Sequence, residues 1–182
     1  KRGIIDDRFD NKKDKIRSTQ TMRKRFETQM TLGQTPIENV KLPLKSRDEL
    51  PPVLRTLQWI YTTPEISEQI FAVLEEKIQG KKKQTGRPGM DLWHVLVLGI
   101  VRLALDCDYD RVEYLVHYDK LMRQIMGIEA NFEGEFGKGF HQKTIQENIC
   151  HIDDVLVKKI NTIVVRAGRE LFKKKRQRQS GL

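Results

Sequence analysis

From Leu50 onward, apolar and polar positions alternate mostly with the period of helices. The longest apolar run, Leu92 to Leu105, is broken only by His94, Gly99 and Arg102. Leu92, Val95, Leu96, Gly99, Val101, Leu103 and Leu105 lie nearly all round such a helix, which makes it the element others pack against. Asp91 stands just before it, where a carboxylate can accept from the free N–H groups of a first turn. The acidic stretch Asp106-Cys107-Asp108-Tyr109-Asp110 turns the chain and restarts it. A helix from Tyr109 to His117 follows, with Val112, Leu115 and Val116 at helical spacing. A shorter one, Lys120 to Met126, carries Leu121, Met122, Ile125 and Met126 and stops at Gly127. Three helices on short turns, opened by Gly86-Arg87-Pro88, are compatible with a helix-turn-helix.

The preceding stretch predicts a helical hairpin. Ser46 and Glu49 have capping-box spacing, and Pro51 and Pro52 fit only a first helical turn, so the helix spans Leu50 to Tyr61. Its buried stripe is Val53, Leu54, Leu57, Ile60 and Tyr61. Thr63 and Pro64 restart the chain, and Ile66, Ile70, Phe71, Val73, Leu74 and Ile78 run down one side to Gly80. Arg23 to Leu44 is irregular, punctuated by Gly33, Pro36 and Pro43, with a short helix expected from Met22 to Met30. Glu129 to Gly139 reads as a loop with Phe132 and Phe136 as anchors. Lys143-Thr144 opens a helix carrying Ile145, Ile149 and Ile152. Asp153 or Asp154 caps a long final helix with Val155, Leu156, Ile160, Ile163, Val164, Ala167, Leu171 and Phe172. No strand pattern and no internal repeat is visible, so the fold expected is all-α. Residues 1–21 lack apolar periodicity and read as a disordered tail. Residues 22–175 read as the helical domain and 176–182 as a basic tail.

Composition narrows the class. In 182 residues, 38% hydrophobic, there is no apolar stretch of spanning length and no signal-peptide pattern. Cys107 and Cys150 fit no disulfide framework; they read as small core residues with reduced thiols, in a cytoplasmic protein. The net charge of +9 is unevenly placed. Residues 1–25 hold ten Lys/Arg against four Asp/Glu, 81–89 hold Lys81, Lys82, Lys83 and Arg87 with no acid, and 166–182 hold seven Lys/Arg against Glu170. The rest is therefore acidic, the distribution of a polyanion-binding protein. Solvated basic termini are the bland alternative.

Catalytic patterns are missing. Asp106, Asp108 and Asp110 begin like an EF-hand loop, but Arg111 and His117 occupy its required Gly and Glu positions; the acids read as turn and cap residues. Cys107, His117, Cys150 and His151 match no zinc spacing, and His94 and His151 read as helix-face residues. There is no phosphate loop and no nucleophile elbow. Two segments suit DNA instead. Lys81, Lys82, Lys83 and Arg87, around Gly86-Arg87-Pro88, suit a narrow minor groove, although the same residues also make a turn. Gln142, Lys143, Thr144, Gln146 and Asn148, after His141, could reach base edges from a recognition helix, although any exposed helix start looks similar.

Several segments in fixed order carry a resemblance: Met22-Arg-Lys-Arg-Phe26, Leu32-Gly-Gln-Thr-Pro-Ile37, Pro43 to Pro52, Gly86-Arg-Pro-Gly-Met-Asp-Leu-Trp93, Asp106 to Arg111 and Tyr118-Asp-Lys-Leu121. Over residues 22 to 175 the chain resembles the N-terminal region of bacterial insertion-sequence transposases with a DDE nuclease domain, in the "not classified yet" group with an IS-five-type N-terminal domain. The resemblance implies binding of double-stranded DNA at the element's terminal inverted repeats. It implies that magnesium belongs only to a later catalytic domain, before whose first Asp this chain stops, so that the chain is no enzyme and needs no cofactor. It also implies that residues 1–21 are translated upstream sequence. Protein partners would be a second copy or an intact transposase, with no membrane and no small-molecule substrate. A stand-alone DNA-binding regulator and a helical association module are the competing readings.

Overall fold

Eight consecutive residues, Leu92 to Gly99, are buried in the helix at the centre of the molecule. The computed structural model describes residues 23–26, 34–43, 45–78, 89–128 and 140–180. Among these there are seven α-helices and no strand: α1 Leu50–Thr62, α2 Pro64–Ile78, α3 Leu92–Ala104, α4 Tyr109–Tyr118, α5 Lys120–Met126, α6 Gln142–Ile149 and α7 Asp154–Ser180. The all-α expectation holds. α1, α2, α4, α5 and α6 all touch α3, and α7 lies along α2. No described helix is long and apolar enough to cross a membrane. The expected tail at 1–21, the loop at 129–139 with Phe132 and Phe136, and Gly80 lie outside the described residues.

The start of α3 departs from expectation. Asp91 occupies the cap position but its side chain makes no capping bond. Leu92 N–H instead donates to the carbonyl of Lys24 at 3.0 Å and Trp93 N–H to that of Arg25 at 2.9 Å. A first turn buried this deeply needs its orphan donors paired, and a passing chain supplies two carbonyls at once. Arg23 to Phe26 is accordingly non-helical, against the helix expected there. Arg23 Nη1 donates to Asn148 Oδ1 at 2.5 Å, and Arg25 pairs with Glu75 and Glu68 on α2 at 2.6 and 2.5 Å. Phe26 meets Tyr61 edge-on, centroids 6.1 Å apart, and His94 at 5.4 Å.

α3 also closes the far end of α5. Trp93 Nε1–H donates to the carbonyl of Ile125 at 2.9 Å, and His94 Nε2 lies 2.8 Å from that of Met126. These are carbonyls of a last helical turn, which have no partner inside the helix. Gly127 follows at φ 67°, the left-handed cap expected for it. A side chain there would also run into Phe26, whose Cζ would lie 2.8 Å from an added Cβ. His94 is therefore a core residue rather than a surface one, and burial pushes its pKa below the ordinary 6.5. Below pH 6.5 the unfolded chain takes up the proton that the folded one refuses, so stability must fall as pH drops through that value. Melting temperature should decline more steeply from pH 7 to pH 5 in the native sequence than in His94→Gln; parallel profiles would show that His94 titrates freely.

At α1 the capping box does not form. The helix begins at Leu50 with no side-chain cap from Glu49. Pro51 and Pro52 then fill the positions whose N–H groups a cap would bind, and neither has one. Ser46 Oγ accepts from Asp48 N–H and Asp48 Oδ1 from Leu50 N–H instead, at 3.0 and 3.1 Å. Gln58, buried on α1, ties the 3-10 turn Ile37–Asn39 down by donating to the carbonyls of Ile37 and Val40 at 2.7 and 2.9 Å.

α7 is capped as expected, with Asp153 Oδ1 accepting from Leu156 N–H at 3.0 Å. It runs antiparallel to α2: Lys77 meets Asp153, Glu76 meets Lys159 at 3.5 Å, and Gln69 accepts from Arg166 at 2.5 Å. Leu156 and Ile160 are buried, but Val155, Leu171 and Phe172 are exposed, contrary to their assignment to the apolar stripe. Geometry explains Phe172: Gln69 meets Arg166, so α2 begins opposite Leu171 and roughly 13 Å of α7 runs on with no α2 beneath it. The boundary drawn at residue 175 falls inside this helix. Cys107 is only partly buried and Cys150 is exposed, so Cys150 is no core residue, and His151 stands in the turn after α6 rather than on a helix.

Candidate nucleic-acid interface

Ile145 and Ile149 turn one face of α6 inward, onto α3 and α4. Gln142, Lys143, Thr144 and Gln146 are all exposed. Asn148 does not join them. It is buried, its Nδ2–H donating to the carbonyl of Thr144 at 2.7 Å while its Oδ1 receives Arg23, so it reaches no base edge. Gln142 Nε2–H is engaged by the Asp110 carboxylate of α4. The shallow depression at the start of α6 is lined by Glu113, His141, Lys143 and Glu147 among others. His141 Nδ1 lies 4.0 Å from Glu113 Oε1. One lysine beside three carboxylates gives this face little pull on a phosphate backbone. Lys143, Thr144 and Gln146 remain as outward-facing polar groups.

The acids of the α3–α4 turn have separate roles. Asp106 takes a positive φ of 44° where the chain reverses. Asp108 Oδ1 accepts from Arg111 N–H at 2.8 Å and caps α4, while Asp110 holds Gln142. Among the described residues no three His, Cys, Asp or Glu side chains gather as a metal-binding group.

Lys81, Lys82, Lys83 and Arg87 lie outside the described residues, in the segment joining α2 to α3. The described end of that segment is tied to the N-terminal stretch, since the Arg23 guanidinium packs 2.7 Å from where a Cβ of Gly89 would be.

The basic segment counted at residues 166–182 is helical through Ser180, which the reading of 176–182 as a tail did not anticipate. Arg166, Arg169, Lys173 and Arg176 are exposed on one unbroken helix. Their spacings of three, four and three put them on a single face. The signal was present in that spacing, hidden by the surrounding run of like charges. Arg102 and Arg111 are held otherwise, over the rings of Tyr109 and Tyr114 at 4.4 and 5.1 Å. Compared with models of protein families, with curated proteins and with solved structures, the chain matches none of them.

Proposed function

We propose that this chain is the DNA-binding N-terminal region of an insertion-sequence transposase, one that recognises the ends of its element. The observation that carries the reading is the placement of charge: basic residues gather at the N-terminus, in the Lys81–Arg87 segment and along α7, beside an otherwise acidic chain. The ordered resemblance over residues 22 to 175 gives that charge its purpose. Basic segments on a helical body act by neutralising phosphates, which fixes orientation on the duplex, while base contacts select the site. Lys143, Thr144 and Gln146 are the outward groups on α6 suited to the second task. Any magnesium chemistry would belong to acids of a later domain.

Titrating a labelled duplex with the full chain across a range of salt concentrations tests this. Log K is expected to fall linearly with log salt concentration, in proportion to the phosphates neutralised. Binding that is absent at low salt, or that ignores salt, would leave the chain a helical association module.

A further inference from the structure

The basic side chains of α7 divide into two sets. Two have partners on α2: Lys159 reaches Glu76 at 3.5 Å and Arg166 donates to Gln69 at 2.5 Å. Lys158, Arg169, Lys173 and Arg176 are exposed, and among the described residues none of them has an ion pair or a side-chain hydrogen bond. At 3.6 residues per turn these four fall within about 60° of one another, over about 27 Å of helix. The shallow face along Lys158, Arg169 and Lys173, with Asn161, Thr162 and Val165, is lined by α7 alone. Glu170 is the one acid in that lining, and among the described residues it pairs with none of these cations. Like charges three and four residues apart repel, so such a register weakens the helix that carries it. The helix dipole does not account for it, since its pull on cations fades within the last turn and α7 runs on to Ser180. An extended polyanion laid along the face offsets the repulsion.

We propose that this face of α7 is a phosphate-docking surface for duplex DNA, on which Lys158, Arg169, Lys173 and Arg176 neutralise backbone charges whatever the base sequence. It rests on the DNA-binding reading and gives that reading a surface separate from α6 and from the Lys81–Arg87 segment. A duplex carries one charge per about 1.7 Å of its axis, so a row of about 27 Å passes more phosphates than four side chains need. Contacts of this kind fix orientation and carry no sequence information. An anionic lipid surface would call for bulky apolar groups beside the cations, and of the residues lining this face Val165 alone is apolar.

The test is duplex titration across salt concentrations, using the full chain with Lys158→Gln, Arg169→Gln, Lys173→Gln and Arg176→Gln combined. Glutamine forms helix about as well as lysine and arginine, so circular dichroism should not change. The slope of log K against log salt concentration should fall by roughly two to four units, at about 0.9 unit per phosphate. Affinity should fall by the same factor for two duplexes of unrelated sequence. Lys41→Gln, Lys45→Gln, Arg47→Gln and Lys120→Gln together remove the same charge from exposed positions off α7, and should change the slope by less than about one unit. An equal loss in this second variant would trace the effect to net charge, and an unchanged slope in the first would leave the face merely solvated. Either result overturns the proposal, while salt-dependent binding by the native chain still upholds the DNA-binding reading. No duplex binding by the native chain would end both. A first variant that keeps its duplex slope but loses binding to phosphatidylserine vesicles would assign the face to a lipid surface instead.

Discussion

Trp93→Ala is expected to cost about 3–5 kcal/mol of folding stability, the range for deleting a fully buried large aromatic. Trp93 is fully buried, packed on Tyr61 with centroids 5.2 Å apart and on Phe26 at 6.3 Å. Phe26 comes from the non-helical stretch over the start of α3 and Tyr61 from α1, so the cavity would open where three separate elements meet and could not close by one of them shifting. The substitution also removes the donor that closes the Ile125 carbonyl, a group too buried for water to replace it cheaply. With a urea m-value of about 2 kcal/mol/M for a chain of this size, the unfolding midpoint should drop by roughly 1.5–2.5 M. Trp93→Phe keeps one aromatic ring but loses the five-membered ring of the indole with its N–H, so it should recover part of that drop. A loss below about 1 kcal/mol in Trp93→Ala would mean that the core is far looser than close packing allows.

The second large effect concerns DNA. Replacing Lys81, Lys82, Lys83 and Arg87 together by Ala should weaken duplex binding and reduce the salt slope by roughly two to four units, at about 0.9 unit for each phosphate that is no longer neutralised. These four charges fall within nine residues that contain no acid. The face of α6 has carboxylates around it and cannot substitute for them. Helical content should stay constant. If Arg87 enters a narrow minor groove, Arg87→Ala alone should also erode any preference for A·T-rich sites. Unchanged affinity and slope in the fourfold variant, with both lost when Lys173, Lys174, Lys175, Arg176 and Arg178 become Gln, would move the DNA-binding surface to α7.

What the sequence reveals of this fold is what is local in it. α3 is legible because its apolar residues are contiguous, and the caps at Gly127, Asp108 and Asp153 because each acts within three residues of itself. The carbonyls of Lys24 and Arg25 that close α3 are illegible, since a backbone acceptor leaves no mark in a side-chain pattern. Gln58 and Asn148 look like ordinary polar surface until their distant partners are known. Arg123 is the same: buried, it donates to the carbonyls of Val116 and Ile128 at 2.8 and 2.7 Å. Periodicity likewise locates the inner faces of α6 and α7, but does not say that α2 ends before Phe172 or that Asp110 and Glu113 flank the outer face of α6. The candidate interface is therefore readable as a set of residues and not as an electrostatic surface.

The stretch that closes α3 also bears on how the chain folds as it is made. Helical proteins usually fold fast because their contacts are local, yet Arg23 and its partner Asn148 stand 125 residues apart. At a synthesis rate of about 5–20 residues per second, Arg23 is added to the chain roughly 6–25 s before Asn148 exists. Through that interval the apolar faces of the hairpin and of α3 lack part of their cover. The early chain is thus a waiting intermediate, vulnerable to aggregation until α6 arrives, and Arg23→Ala should affect the yield of native protein from a translating ribosome more than its melting temperature once folded.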